Sequence, residues 1–398
     1  MKLTGALEIS DTSRGKVPCS KTGHEMSTVD AFLVLADCLK PGDGATSDAK
    51  LRSSLTHGNV DWLCVVSLAN RNALTPTLWF SLVRRGLASC LPPDLADYLA
   101  LVDDFNRRRN DEIKSQAIEV ARGLVSSGIR PVFMKGCLTL LEGDDAAYSS
   151  MMTDIDILTA KDDTAGAREV LRSLGYRTLG RTSHVAHAST FHRPMSLVTI
   201  DLHSDLGPQR RLISADAACR SARPLTNMAS LGDGLSVTHR VLLLIMAFGI
   251  FETHYPSGHI PLRHLCELSR LCRLYPSQVD WDLVSEILTR NGLDTEAAVL
   301  GFMAHELLSA PIPDRLRSPV HGRRHLQRCL SQLASPRIDL ARQTYATLTW
   351  PFNRFRMDYR YRCGISGSAL LFARLRHATS VLCHRCILTA PKCEGEFS

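Results

Sequence analysis

The sequence predicts an α+β chain in which a small mixed β-sheet core at 116–230 is flanked by N-terminal and C-terminal helical regions. Three observations carry that prediction. Apolar residues recur at helical spacing from about 27 to 125. Between about 130 and 205 the texture changes to short apolar or alternating runs, broken by glycines and one helical stretch, as expected of a small α/β or α+β unit. After about 235 helical periodicity returns in successive segments separated by short Pro- or Gly-bearing breaks.

Taken in order, residues 1–26 are polar, rich in Gly, Ser, Thr and Lys, and without periodicity; they read as a flexible leader, with Met26 as an alternative start. Residues 27–115 form an N-terminal helical region. VDAFLVLADCLK and VDWLCVVSLANRNAL carry apolar stripes, and PDLADYLALVDDFNRRRNDEIKSQAIEVARGLVSSG reads as a long amphipathic helix opened by Pro93 and Asp94 and closed by Gly128. In the core, RPVFMKG is a short strand ending at Gly136, and CLTLLEG is a brief helical turn. TDIDILT alternates at period two, which predicts a strand with one buried face. DDTAGAREVLRSLGY is a helix ending at Gly175, and HVAHASTFHR and SLVTIDLHSDL are extended. Residues 231–310 form a C-terminal helical region, and 311–398 an Arg-rich, mostly helical tail.

Composition bounds the function classes. At 398 residues the chain has room for two or three domains, and 44% hydrophobic against 22% charged residues is ordinary for a soluble globular protein. The thirteen cysteines are too scattered in too long a chain for a disulfide framework, and MKLTGALEISDTSRGKVPCS lacks the apolar centre of a signal peptide. A reducing cytoplasm is therefore expected. The longest apolar run, VLLLIMAFGIF at 241–251, is too short to span a bilayer and reads as a buried helix. The net charge of +7 permits an anionic partner without demanding one.

The chemistry concentrates in three places. In TDIDIL, Asp154 and Asp156 sit two apart on a strand and project from the same face. Two carboxylates so close repel unless a cation lies between them, and hard oxygen ligands suit Mg²⁺, with Mn²⁺ able to replace it. Alone, D-x-D is weak, because such pairs are common on surface strands. PVFMKG ends in a glycine at the start of a helix, where main-chain N–H groups can hold phosphate oxygens beside the Lys135 charge. SLVTIDLH places Asp201 between apolar neighbours, so that a third carboxylate on a nearby strand could complete a two-metal site. Each is bland in isolation: an ordinary strand-to-helix turn, and a surface aspartate on an edge strand.

Their order resembles the DNA polymerase β-type nucleotidyltransferase superfamily. More narrowly, residues from about 60 to 300 resemble the bacterial family of uncharacterised nucleotidyltransferases. That resemblance rests on WLCVVSLANRNALTPTLW, MKGCLTLL, TDIDILTAKDD followed by a helix and LGY, VTIDLH, VTHRVLLLIMAF, and LRHLCELSRL followed by VDWDLVSEILTRNGL. It implies that Asp154 and Asp156 hold two Mg²⁺ ions and that Asp201 helps bind the metal activating the acceptor. Lys135, Gly136 and Cys137 would lie against the triphosphate of a nucleoside triphosphate (NTP). The implied reaction is in-line attack of an acceptor hydroxyl on the α-phosphorus, with pyrophosphate leaving. The acceptor could be a small molecule, a protein or an RNA end. The turn continues Gly136-Cys137 where the superfamily has Gly-Ser or Gly-Gly, and YSSMMTD lacks the basic residue that often precedes the D-h-D strand. Two further readings therefore stand beside the enzyme: a catalytically inactive binding or regulatory module, and a toxin that nucleotidylates tRNA.

Three other groups have weaker chemistry. His203, two residues beyond Asp201 on the same strand face, reads as a partner that orients a metal ligand, whereas His184, His187 and His192 read as hairpin histidines. CHRC at 383–386, with Cys363, His377 and Cys393 nearby, lacks a second clean pair for zinc and reads as a tail bearing free thiols. RFRMDYRYR at 354–362 and RRLISADAACRSAR at 210–223 are locally basic. The first alternates arginine with aromatic residues, a mix able to stack on bases or clamp phosphates, although each more often marks a solvated face.

Overall fold

The computed structural model of the protein describes residues 26–42, 45–179, 188–206, 210–251, 254–349 and 352–389. The leader up to residue 25, His184, His187 and Cys393 lie outside the described residues.

Seven strands form one mixed sheet: β1 (Val132–Phe133), β2 (Asp154–Leu158), β3 (Arg177–Thr178), β4 (Ala188–His192), β5 (Thr199–His203), β6 (Arg223–Pro224) and β7 (Asp233–Gly234), in the order β3-β4-β5-β2-β1-β7-β6. β2 lies at the centre, antiparallel to β1 and parallel to β5. The α+β class and the small mixed sheet agree with the sequence reading. The sheet also reaches past residue 230, because β7 pairs with β1 in parallel. β3, β6 and β7 have two residues each, too few for any periodicity to announce them.

One expectation needs correction. β2 is buried on both faces from Ile155 onward, not on one: Ile155, Ile157 and Leu158 are fully buried and Asp156 is 1% exposed. Neighbouring strands flank it on both edges, and helices cover the sheet, so the polar positions of the alternation point into the protein rather than into open solvent.

The long helix Pro93–Ser126 is continuous across residue 115. Pro93 starts it, Asp94 lies in its first turn, and its end is closed by Gly128 N–H donating to the Val125 carbonyl. Its buried stripe begins at Leu99, passes through polar Asp103, Asn106 and Asn110, and continues with Ile113, Ala117, Val120 and Leu124 at three- and four-residue steps. The run at 241–251 is a buried helix, Val237–Met246, continued by a π-turn at Ala247–Phe251. Helices Leu262–Leu274, Trp281–Arg290 and Asp294–Leu308 follow, and the tail is helical at Pro319–Ala334, Pro336–Thr349, Arg354–Tyr361 and Gly367–Thr389. Among the described residues no helix is long and apolar enough to cross a membrane. The nine cysteines whose side chains are described are all free thiols.

Candidate active site

Parallel pairing of β2 with β5 sets Asp156 opposite Asp201, Asp154 opposite Thr199 and Leu158 opposite His203. Side chains alternate along a strand and match across a parallel pair, so Asp154, Asp156, Asp201 and His203 all belong to one face of the sheet. The opposite face carries Ile155, Ile157, Ile200 and Leu202, all buried. Alternation in the two sequences thus serves two purposes, one face anchoring the strands and the other bearing the carboxylates.

The carboxylates differ in surroundings. Asp156 is buried, and its Oδ1 accepts hydrogen bonds from Lys135 Nζ at 2.7 Å and from His203 Nε2 at 2.9 Å. Burial works against its charge, but the His203 hydrogen bond and the Lys135 ammonium outweigh it and hold this carboxyl below the usual aspartate range. Asp154 is half-buried and accepts from Thr153 Oγ1 at 3.2 Å. Burial, followed by the charge of Asp156, pushes its carboxyl up, with Lys135 opposing. Asp201 Oδ1 is buried with no hydrogen-bond partner. An acceptor oxygen left bare inside a protein is costly unless something positive meets it.

Ligand atoms of Asp156, Asp201 and His203 all lie within 4.8 Å of one another, and Asp154 is not in that trio. Two carboxylates and an imidazole nitrogen, with one oxygen unsatisfied, fit a divalent cation. His203, read from sequence as an orienting partner, touches Asp156 directly and also has a nitrogen within ligand reach of the other two side chains.

Lys135 opens the short helix Lys135–Leu141 and has φ +52, a left-handed conformation unusual for a side-chain-bearing residue. Such backbone costs about 1–3 kcal/mol and persists where the surroundings enforce it. Partial burial lowers the basicity of the ammonium, but Asp156 more than compensates, with Asp154 and Asp201 adding to the effect, so its pKa is raised. The side chain remains 55% exposed, open to a further anion. Gly136 has a packing reason to lack a side chain: a Cβ there would meet Met152 at 3.0 Å. The Cys137 thiol is buried and its pKa pushed up by that burial, so its side chain cannot face a nucleotide. Only main-chain N–H groups of the first helical turn, which have no partner within their own helix, remain available at Gly136 and Cys137.

Supporting residues that sequence reasoning missed come from distant segments. Asn110, fully buried, donates from Nδ2 to the carbonyls of Tyr148 and Ser150 at 2.9 Å each; Asn106 reaches the same two carbonyls at 2.8 and 3.3 Å. Gln116 on the same helix donates to the Val198 carbonyl at 3.1 Å. One helix therefore ties down the loops leading into both β2 and β5. Behind Lys135–Leu141, Arg240 and Arg270 both donate to Thr139 Oγ1, at 2.9 and 3.1 Å. Arg240 pairs with Glu142 at 2.9 Å, and Arg270 pairs with Asp144 at 2.5 Å and with Glu267 at 2.7 Å. The only sequence signal for these was polar residues at helical spacing on otherwise apolar stripes.

Of the other candidate groups, three described side chains have partners away from the site, whereas those of Cys383 and Cys386 lie outside the described side chains. His192 lies on β4, opposite Arg177. His377 is buried against Tyr361, its Nδ1 3.1 Å from the tyrosine hydroxyl, and Cys363 donates to the Gly364 carbonyl.

A small mixed sheet that presents carboxylates from paired parallel strands, flanked by helices on either side in sequence, has the form of a nucleotidyltransferase fold. A family model described as uncharacterised nucleotidyltransferase matches residues 58–309, more than half the chain and inclusive of every residue of the site, and the protein belongs to that family. No curated protein matches the chain.

Proposed function

We propose that the protein transfers a nucleoside monophosphate group from an NTP to an acceptor hydroxyl. The observation that carries this reading is the pairing of buried Asp156 with half-buried Asp201 on adjacent parallel strands, with Asp201 Oδ1 buried and without a partner. Asp156 and Asp201 would hold a divalent cation, with Asp154 at the more open end of β2 contributing to a second. Bound Mg²⁺ would neutralise charge on the triphosphate and acidify the acceptor hydroxyl.

The protein's own groups have separable roles. His203 fixes the orientation of Asp156 through its Oδ1. The half-exposed Lys135 ammonium is free to extend from Asp156 toward a phosphate oxygen, while N–H groups of the Gly136–Cys137 turn meet another. The new bond joins the acceptor oxygen to the α-phosphorus, the bond from that phosphorus to the bridging oxygen breaks, and pyrophosphate departs. Strands suit this task because ligands must be held to a fraction of an ångström.

The test is incubation of the purified protein with α-labelled NTPs, Mg²⁺ and a cell lysate. Transfer of label by the wild type, abolished in an Asp154→Ala/Asp156→Ala double variant, is expected. Absence of labelling, together with absence of Mg²⁺-dependent NTP binding, would sink the enzymatic reading.

A further inference from the structure

The tail beyond the family match carries an organised basic surface. Residues 352–379 hold six arginines (354, 356, 360, 362, 374 and 376) and a single acidic residue, Asp358. Asp358 is buried and already neutralised: Arg211 Nε and Nη2 donate to its two oxygens at 2.6 and 2.8 Å, and Arg210 Nη2 donates at 3.0 Å. The two basic stretches of the sequence thus meet in space. Arg360, Arg362, Arg374 and Arg376 are all exposed, and among the described residues none of these four meets a carboxylate.

Aromatic rings are interleaved with this charge. The guanidiniums of Arg210 and Arg362 each lie 5.7 Å from the centre of the Tyr359 ring. Those of Arg360 and Arg376 lie 5.7 and 5.5 Å from the centre of Tyr361. Helices Arg354–Tyr361 and Gly367–Thr389 pack together, which sets Arg376 of the second beside Tyr361 of the first. The Asp358 clamp also fixes where that surface lies. Arg210 follows His203 by seven positions, and seven residues of chain span at most about 25 Å.

We propose that this surface binds a single-stranded nucleic acid and delivers its end to the carboxylate site as the acceptor. Guanidiniums without acidic partners meet phosphodiesters, and arginine planes with tyrosine rings stack on bases irrespective of sequence. As a choice of acceptor the proposal rests on the nucleotidyl transfer above; as a binding surface it does not, and the experiment separates the two.

Binding of a fluorescein-labelled single-stranded RNA of about 20 nucleotides, and of a DNA of the same sequence, is followed by anisotropy across a salt series. Full-length wild type is compared with Arg360→Gln/Arg362→Gln/Arg374→Gln/Arg376→Gln and with Asp156→Asn, each checked for an unchanged circular dichroism spectrum. Vesicles containing a third phosphatidylserine serve as an alternative anionic surface. The expected result is salt-sensitive binding of at least one strand by wild type and Asp156→Asn alike. The quadruple variant should bind at least about 10-fold more weakly, with a salt slope shallower by about 2–3. Binding equal in the quadruple variant, no binding of either strand at low salt, or binding of vesicles in preference to both strands overturns the proposal. Label transfer to a small acceptor without strand binding would overturn it while leaving nucleotidyl transfer intact. Strand binding without any transfer would support the surface while removing the acceptor role.

Discussion

At the scale of single residues, Asp156 is the best-supported group of the site. Two donors converge on one of its oxygens, and a ligand atom of Asp156 lies within 4.8 Å of one from Asp201, whose Oδ1 has no hydrogen-bond partner. Histidines that orient a carboxylate or metal ligand typically matter by 10- to 100-fold. His203→Ala should therefore lower both Mn²⁺ affinity, read by calorimetry, and label transfer by about 10- to 100-fold; an unchanged affinity would show that the Asp156–His203 contact has no bearing on the cation. The structure also explains Gly136-Cys137 in place of the superfamily's usual dipeptide. Cys137 fills a core position, so its side chain packs behind the turn rather than at its surface.

At the scale of elements, two helical supports hold the site from behind. Asn110→Ala would leave the Tyr148 and Ser150 carbonyls served by Asn106 alone, and one buried hydrogen-bonding group lost costs about 1–3 kcal/mol. Chemical denaturation should report that loss, and the double variant with Asn106→Ala should lose more. The Arg240 ion pair is more demanding. Arg240 is 4% exposed, and its removal leaves Glu142 without its ion pair, held only by the Tyr275 hydroxyl, and weakens the hold on Glu267. Breaking a buried pair from one side costs about 3–5 kcal/mol. Arg240→Met should therefore depress the melting temperature by many degrees and speed amide exchange in residues 135–141 ahead of the distal helices. Equal protection of that segment in variant and wild type would contradict the assigned role. Close packing adds a steric constraint at the same place: a Cβ on Gly234 of β7 would lie 2.4 Å from Leu138 Cδ1, so Gly234→Ala should force the buried Leu138 side chain to repack, at a cost of about 1–3 kcal/mol.

At the scale of the whole molecule, the clamp at Asp358 joins the tail to the segment that follows β5. Burial opposes the Asp358 charge, but hydrogen bonds from Arg211 and the Gly364 N–H, with the charges of both arginines, hold its carboxyl below the usual aspartate range. A carboxyl depressed in the folded state stabilises the protein at pH above its unfolded value, near 4, and that contribution is lost as pH falls through the folded value. Wild type should therefore melt above Asp358→Asn at neutral pH, with the gap closing below about pH 4. A gap independent of pH would remove the ionic account of the clamp.

The α+β class, the long helix from Pro93 and the central D-h-D strand were legible in the sequence alone. These are local: they follow from periodicity, caps and residue chemistry within a few positions. Pairing was not local. The in-register parallel pairing of β2 with β5, which sets Asp156 against Asp201 and draws His203 onto Asp156, depends on which strands become neighbours, and strands of two residues left no trace from which to infer sheet order. The burial of β2 from Ile155 onward follows from the elements packed around it, so its alternating pattern suggested a solvent-facing side where only the Asp154 end is partly open. Likewise, 210–211 and 354–362 were separate basic runs in the chain, and only the fold brought Arg210 and Arg211 onto the buried Asp358 of the second run. Side-chain type and local period are properties of a segment, whereas desolvation and contact across more than a hundred residues are properties of the packed whole.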